Sequence, residues 1–422
     1  MLIQFNFKNF NSFRDDATLD MTATKISEYN NHITCIGGEQ ILPVAVIFGA
    51  NASGKSNVLK AFSYMRKYVI DSLSYAGDYD KDDGKFRRPT PFLFDNNTKD
   101  AESVFEVYFI DNNDIKQKTY NYGFSIDNEG VCEEWLNEKA KTSNTPKKIF
   151  YRNRVDGTLQ FSGLNTKVSE TISLALEKET LIVSLGARLK IDVLRLVFDN
   201  FAKMRFVDFG EPRQNAILST LIPSDFVDSK DVRKKVVNYF SSFDKSIVDF
   251  KTEVIKGISD KEKDKIKIDS VHKMIDGKGY ASIPLSQESG GTLKMFALYP
   301  WVDQVLTSGG IIFIDELNAK LHPLLVRVFV QMFLNKESNP NNAQLIFTTH
   351  DAWQLESDLL RRDEIWFTEK QKNGISTLYS LADFIDDEGN KIRKDENYEK
   401  NYLLGKYGAI PTLHSFNFFK GE

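Results

Sequence analysis

A phosphate-binding loop is the clearest chemical pattern in the sequence. Residues 49–56, GANASGKS, fit G-x-x-x-x-G-K-[ST] in full. In such a loop, glycines let consecutive backbone N–H groups approach a phosphate, and the lysine, here Lys55, places a cation against the β- and γ-phosphates. The hydroxyl of Ser56 is of the kind that binds Mg²⁺. The pattern predicts that ATP and Mg²⁺ bind at Gly49, Asn51, Ala52, Ser53, Gly54, Lys55, Ser56 and Asn57.

A pair of carboxylates follows a second apolar run, GIIFIDE, at residues 310–316. If this run is a strand beside that of the phosphate-binding loop, Asp315 holds Mg²⁺ through water. Glu316 then orients or deprotonates the attacking water. The alternative is a solvated Asp-Glu pair that caps the next helix. The loop upstream favours the catalytic interpretation.

A histidine ends a third apolar run, LIFTTHD, at residues 345–351. His350 at the carboxyl edge of a parallel sheet can reach a γ-phosphate, although a lone histidine there is more often only a polar strand end. Lys55, Asp315, Glu316 and His350 together describe one site, so we expect a catalytic role for Glu316 and His350.

A serine–glycine turn precedes the helix that leads into the second strand. Ser289, Gly290 and Gly291 give a helix N-terminus with free N–H groups, which binds anions. The alternative is an ordinary N-cap.

Strands and helices alternate at both ends of the chain. The apolar runs at residues 44–48, 311–314 and 345–347 predict buried strands, and helices are predicted over residues 56–72, from residue 290 with a kink or restart at Pro300, and from 321 to 332. This order is typical of a parallel α/β core. Between them, residues 103–163 predict an antiparallel meander, residues 165–245 mainly helices, and residues 249–271 a strand pair.

Composition is that of an ordinary globular protein. The 422 residues carry 55 Lys and Arg against 59 Asp and Glu, which excludes a strongly basic nucleic-acid coat protein. Cys35 and Cys132 are too few for a disulfide scaffold. No apolar stretch is long enough for a membrane span, and the N-terminus lacks the pattern of a signal peptide. We therefore expect a cytoplasmic protein with no membrane partner.

The order of these motifs resembles that of the ABC-type ATPases of the SMC/RecF/OLD clan. The segments GANASGKSN, ESGGT, RRDEIWF and YLLGKYGAIP resemble in particular the RloA/AbiL-type ATPase of bacterial abortive-infection pairs. The resemblance implies an ABC-type P-loop core of residues 1–72 and 280–422. The residue patterns predict an antiparallel β subdomain with a loop at 73–163 and a mainly helical insert at 164–279, a region that the family matches only in layout. The resemblance also implies that Ser289, Gly290 and Gly291 touch the γ-phosphate of an opposite subunit in a homodimer or higher oligomer.

Two positions depart from the clan's pattern. His322 stands where a second aspartate of the D-loop is usual, although the related defence ATPases often have His-Pro there. A Q-loop glutamine is not identified, and the region of Pro91 and Phe92 is the only candidate for that loop.

Three functions fit this pattern. The first is an anti-phage ATPase switch or sensor that controls a separately encoded nuclease or toxin. The second is a RecF- or SMC-like ATPase of DNA maintenance, but the insert has no sustained heptads. Lys85, Arg87 and Arg88 leave a nucleic-acid contact open, although a solvated loop is the favoured interpretation. The third is a nucleotide-binding scaffold without turnover, and Glu316 argues against it.

Overall fold

A computed structural model gives the fold of most of the chain. The residues it describes are 1–75, 88–112, 114–211, 222–256, 265–356, 358–385, 389 and 391–410. Lys85, Arg87 and Pro411, which the sequence analysis singled out, lie outside the described residues.

Strands dominate the first two thirds of the chain, and helices surround the strands of the last third. In chain order the strands are β1 Leu2–Lys8, β2 Ala17–Asp20, β3 Thr34–Ile36, β4 Glu39–Ile41, β5 Val44–Phe48, β6 Ser103–Ile110, β7 Thr119–Ile126, β8 Val131–Lys139, β9 Lys147–Asn153, β10 Thr158–Phe161, β11 Arg205–Asp208, β12 Ile247–Ile255, β13 Lys265–Lys273, β14 Tyr280–Pro284, β15 Ile311–Asp315, β16 Gln344–Thr348, β17 Ile365–Lys370 and β18 Ser376–Ser380. The α-helices are α1 Lys55–Asp71, α2 Thr166–Ala175, α3 Ile182–Arg188, α4 Asp192–Ala202, α5 Lys230–Ser241, α6 Gly290–Ser308, α7 Pro323–Leu334 and α8 Tyr398–Leu403.

A six-stranded sheet carries the sequence motifs, with the strand order β11-β15-β16-β5-β17-β18. All neighbours run parallel except β17 and β18, which confirms the predicted α/β core. The expected adjacency of β5 and β15 is wrong, because β16 lies between them and pairs with both. The carboxyl ends of β5, β15 and β16 still meet at one edge of the sheet, since these strands are parallel.

Helix α1 lies between this sheet and a second, antiparallel one. The ring of Phe62 on α1 is 4.3 Å from the ring of Phe5 on β1 and 4.5 Å from that of Phe313 on β15. Strand β5 is buried along its whole length. Ala45 and Ile47 face the core that contains α1, while the alternate residues face the core on the other side of the sheet.

The antiparallel sheet has seven strands in the order β10-β9-β8-β7-β6-β1-β2. The predicted meander therefore forms, and β1 joins it by pairing with β6. The first two strands thus share a sheet with the predicted β subdomain. The domain boundaries expected near residues 72, 163 and 279 stay predictions.

The intervening segment combines helices with a strand that sequence periodicity missed. Helices α2 to α5 lie in the region that was predicted to be helical, and β12 pairs with β13 as expected. Strand β11 was not predicted, although it pairs in parallel with β15 at the edge of the core sheet. Helix α6 runs through Pro300 as one element. Among the described residues, no helix combines the length and the apolar character that crossing a bilayer requires.

A buried ion pair attaches the chain near residue 24 to the start of β17. Arg361 is fully buried, and its Nε and Nη2 donate to the two carboxylate oxygens of Asp363, each at 2.9 Å. The backbone N–H and the hydroxyl of Thr24 donate to the same carboxylate, at 2.8 Å each. The backbone N–H of Arg361 donates to Glu364, whose carboxylate lies 3.1 Å from Nδ1 of His32. If Arg361 or Asp363 is removed, the charged partner that remains is buried without its counter-ion and without water.

We predict that Arg361→Met destabilises the protein strongly, because the Asp363 carboxylate stays buried without its counter-ion. The expected loss is about 3–5 kcal/mol of unfolding free energy, measured by urea unfolding. Arg195→Met is the matched control, since its Arg–Asp pair is 58% and 50% exposed. The control is expected to cost less than about 0.5 kcal/mol, and equal losses in the two variants would contradict the prediction.

Candidate functional site

The phosphate-binding loop joins β5 to α1 and needs glycine at two positions. Gly49 has φ 155°, and a methyl group there would lie 2.5 Å from Oγ of Ser53 and from the carbonyl oxygen of Thr368. Gly54 has φ 116°, and a methyl group there would lie 2.8 Å from Oγ of Ser376. A side chain at either position would force the loop open, so the close turn depends on both glycines.

Other loop residues hold the turn in place. The hydroxyl oxygens of Ser53 and Thr368 are 2.6 Å apart, so the Ser53 side chain points to strand β17. Its backbone N–H, rather than its hydroxyl, is therefore the group that could meet a phosphate. Asn57 donates from Nδ2 to Oγ of Ser12 at 2.8 Å. The predicted loop residues Asn51 and Ala52 are exposed.

Lys55 is folded back against its own loop. Its ammonium donates to the carbonyl oxygens of Gly49 at 2.8 Å and Ala50 at 2.9 Å. Burial lowers the pKa of Lys55 to about 8, against the opposing effect of the Asp315 and Glu316 carboxylates. An anion placed in the loop would raise that pKa again, so the lysine is poised to gain from a phosphate.

The carboxyl end of β15 is fixed by a threonine of the neighbouring strand. The buried hydroxyl of Thr348 donates to Oδ1 of Asp315 and accepts from the backbone N–H of Glu316 at 2.8 Å. Glu316 itself has φ 54°, a left-handed conformation that is rare for a residue with a side chain. Thr348 therefore orients the Asp315 carboxylate and holds the backbone of Glu316.

His350 stands opposite Glu316 at the rim of the site. Its Nε2 lies 3.9 Å from Oε1 of Glu316, and the two side chains are 36% and 40% exposed. Burial and the charge of Lys55 lower the pKa of His350 below its usual value, although both carboxylates oppose the shift. The imidazole is accordingly neutral at pH 7 and can donate one hydrogen bond while it accepts another.

The alternative that the Asp-Glu pair caps the following helix does not hold. His322 is the N-cap of α7, and its Nδ1 accepts from the backbone N–H of Leu324 at 3.2 Å. The residue at the D-loop position thus has a structural contact of its own. In the candidate Q-loop region the backbone N–H of Phe92 donates to the side chain of Asn9 at 2.9 Å, and the role of this region stays a prediction.

The serine–glycine turn begins helix α6 at the surface. Ser289 is the N-cap, and its exposed Oγ accepts from the backbone N–H of Thr292 at 3.1 Å. Among the described residues, no hydrogen bond joins this turn to the phosphate-binding loop of the same chain.

A wall of the site comes from β11, which was absent from the sequence prediction. Asp208 pairs in register with Asp315, and its Oδ1 accepts from the backbone N–H of Gly210 at 2.9 Å. Burial and the charge of Asp315 raise the pKa of Asp208. A methyl group at Gly210 would lie 3.4 Å from Oε2 of Glu316. The only signal in the sequence is the four-residue run RFVD, which is too short to show a period.

The oxygen groups at this edge fit a magnesium ion held mainly through phosphates and water. Mg²⁺ prefers oxygen ligands and usually takes one or two from protein. Asp315 keeps Oδ2 free of the hydrogen bond that Thr348 makes to Oδ1, and Ser56 supplies a hydroxyl at the start of α1. In the described part of the chain, no group of three or more His, Cys, Asp and Glu side chains forms a metal cage. That donor set suits the predicted ion.

Two comparisons with known proteins found similarities. A family model described as "AAA domain, putative AbiEii toxin, Type IV TA system" matches residues 44–352. The solved structure "Crystal structure of the SmcHead bound to the C-winged helix domain of ScpA" is similar, with a TM-score of 0.46 and 14% identity over 90% of this chain and 97% of that chain. No curated protein matches the sequence.

Nucleotide affinity should fall at alkaline pH, because the pKa of Lys55 is about 8 without a bound anion. Below that pH the ammonium is charged; above it, binding must take up a proton. We expect the affinity for ATP to weaken by up to about tenfold per pH unit above about pH 8. Titration with a fluorescent ATP analogue from pH 6.5 to 9.5 measures this. Lys55→Arg, which stays charged, should bind more weakly but without the alkaline loss; an equal slope would contradict the assignment to Lys55.

Proposed function

The chain belongs to this AAA-domain family, and we propose that it is an ABC-type ATPase that works as an ATP-driven dimerisation switch. We further propose that the switch controls a separately encoded effector in a bacterial abortive-infection system. The observation that carries the proposal is the meeting of Lys55, Asp315, Glu316 and His350 at one edge of the core sheet.

Each of these residues has a chemical part in ATP hydrolysis. Lys55 exchanges its bonds to loop carbonyls for the β- and γ-phosphate oxygens, where its charge opposes theirs. Ser56, and Asp315 through water, would hold Mg²⁺, which would supply positive charge to neutralise the phosphates. Glu316 orients the attacking water and accepts its proton, and the partial exposure of its carboxylate leaves room for that water. His350, whose pKa is lowered by burial and by Lys55 when no nucleotide is bound, donates a hydrogen bond to the γ-phosphate.

A second copy of the chain completes the site in this proposal. The N–H groups of residues 289–291 carry the positive end of the α6 dipole, and the turn is exposed. Two chains packed about a two-fold axis would bring each turn to the γ-phosphate held by the other. ATP then stabilises the closed dimer, because its γ-phosphate contacts both chains. Hydrolysis removes this contact, so the dimer opens.

The family's description supports the proposed biological setting. It names a toxin of a toxin–antitoxin system, and the sequence resembles the ATPases of abortive-infection pairs. We propose a cytoplasmic protein whose partner is a nuclease or toxin encoded by a neighbouring gene. The contact with that partner would change between the open and the closed dimer.

Three variants separate the steps of the switch. Glu316→Gln should keep ATP affinity but lower kcat by about 10²–10⁴-fold, and should accumulate an ATP-dependent dimer. Lys55→Ala should lose ATP binding and stay open. Ser289→Arg should bind ATP with wild-type affinity and fail to dimerise. Light scattering coupled to size-exclusion chromatography, with and without ATP and Mg²⁺, measures these states.

A Glu316→Gln protein whose mass is the same with and without ATP would overturn the dimerisation proposal. Although His322 is exposed, a substitution there is not a suitable surface control, because His322 caps helix α7. Lys372→Gln, in the exposed turn between β17 and β18, is the matched surface control and should behave as wild type.

The defence role has its own test. Cells that carry this gene together with its neighbouring gene should plate phage with reduced efficiency, and Lys55→Ala should abolish the protection. Protection that persists in Lys55→Ala, or that needs no neighbouring gene, would contradict an ATP-driven switch acting on a separate effector.

A further inference from the structure

A buried lysine lies beneath the loop that carries Glu316. The ammonium of Lys294 donates to the carbonyl oxygens of Leu317 at 2.7 Å and Ala319 at 2.8 Å, and it lies 3.4 Å from that of Glu316. It also lies 3.6 Å from the ring centroid of Phe209, next to Asp208 at the end of β11. Lys294 is 7% exposed, and no described ion pair includes it. Three backbone carbonyls and one ring therefore replace the water that this cation has lost.

Those contacts hold an unusual loop conformation. The loop begins and ends with left-handed residues, Glu316 at φ 54° and Lys320 at φ 61°. Such residues cost energy that surrounding contacts must offset. The ammonium gathers carbonyls that would otherwise repel one another, so it stabilises the turn that points the Glu316 carboxylate toward His350. Thr348 fixes the same residue from the opposite side.

Lys294 also belongs to the helix that begins with the serine–glycine turn. It lies within the first turns of α6, whose N-cap is Ser289. The start of that helix packs closely on the far end of the same loop, because a methyl group at Gly291 would lie 3.2 Å from the carbonyl oxygen of Lys320. A rigid helix thus joins the exposed turn to the loop of the catalytic carboxylate through two adjacent contacts.

We propose that Lys294 is a positioning residue that couples the serine–glycine turn of α6 to Glu316 of the same chain. This inference rests on the proposed ATPase function. When residues 289–291 contact the partner's nucleotide, helix α6 is held in place. This helix carries the Lys294 ammonium, which positions the backbone carbonyl groups of residues 316–319. Engagement of the turn then holds the Glu316 loop of the same chain in the conformation that the single chain already shows.

The electrostatic setting agrees with this role. The pKa of Lys294 is lowered to about 7, chiefly by burial, with the Glu316 carboxylate opposing the shift and Lys320 adding to it. Charging the amine here costs solvation, and the carbonyl partners are the groups that offset that cost. An apolar side chain of similar length would fill the space but leave the carbonyls unpaired.

The test compares Lys294→Met and Lys294→Arg with the wild type for kcat, KM and affinity for a fluorescent ATP analogue. Lys294→Met should keep ATP affinity within about threefold, since the Lys55 loop is untouched, and should lower kcat by about 10–100-fold. Lys294→Arg, which keeps the charge and the donors, should recover most of kcat. Lys372→Met is the control for loss of an exposed lysine and should match the wild type.

A double-variant cycle distinguishes positioning from general damage. In a Glu316→Gln background, Lys294→Met should lower the residual kcat no further, because its effect passes through the carboxylate that is already gone. If the two losses multiply, or if Lys294→Met alone keeps wild-type kcat, the proposal is wrong. If Lys294→Met does not fold, Lys294→Arg and Lys294→Gln carry the same comparison, with loss of kcat expected only in the glutamine variant. Absence of ATP hydrolysis by the wild type would instead refute the proposed function.

Discussion

The packing of helix α1 between two sheets is the constraint on which the rest of the site depends. Phe62 contacts Phe5 of the antiparallel sheet and Phe313 of the parallel sheet, so the helix cannot shift without opening both cores. The phosphate-binding loop is the connection from the buried strand β5 to this helix. Because both of its ends are fixed, Gly49 and Gly54 must close it in a fixed shape, and Lys55 enters the site from the first residue of the helix.

Among the described residues at this edge of the core sheet, Lys55 and Lys294 form no salt bridge with a carboxylate. Lys55 and Lys294 are both buried, and both have a lowered pKa, yet their close partners are carbonyl oxygens rather than carboxylates. Asp315 and Glu316 both favour the charged form of Lys55, and Glu316 favours that of Lys294. Lys55, which forms no closed salt bridge with either carboxylate, can exchange its carbonyl partners for phosphate oxygens.

The sequence predicted the local elements of this site well and their spatial order less well. The pattern at residues 49–56 and the apolar run before Asp315 determine a loop and a strand from adjacent residues, and both are present. The insertion of β16 between β5 and β15 depends on hydrogen bonds between distant segments, which periodicity does not report. Strand β11 and the hydroxyl of Thr348 were missed for the same reason. Lys294 resembles any helical lysine until the loop after β15 closes over it.

The proposed switch follows from a difference in exposure between the two anion-binding elements. Lys55 is buried and already has carbonyl partners, so its loop gives up existing contacts when a phosphate enters. Ser289 is exposed, and the N–H groups beside it lose only water. In the proposed dimer, a γ-phosphate that contacts both elements links two chains. On one chain it contacts the phosphate-binding loop, which two hydrophobic cores hold in place. On the other chain it contacts the serine–glycine turn, which is exposed at the surface. In the proposed switch the exposed element is the start of α6, and α6 contacts the Glu316 loop through Lys294, so closure of the dimer would act directly on the loop that carries Glu316.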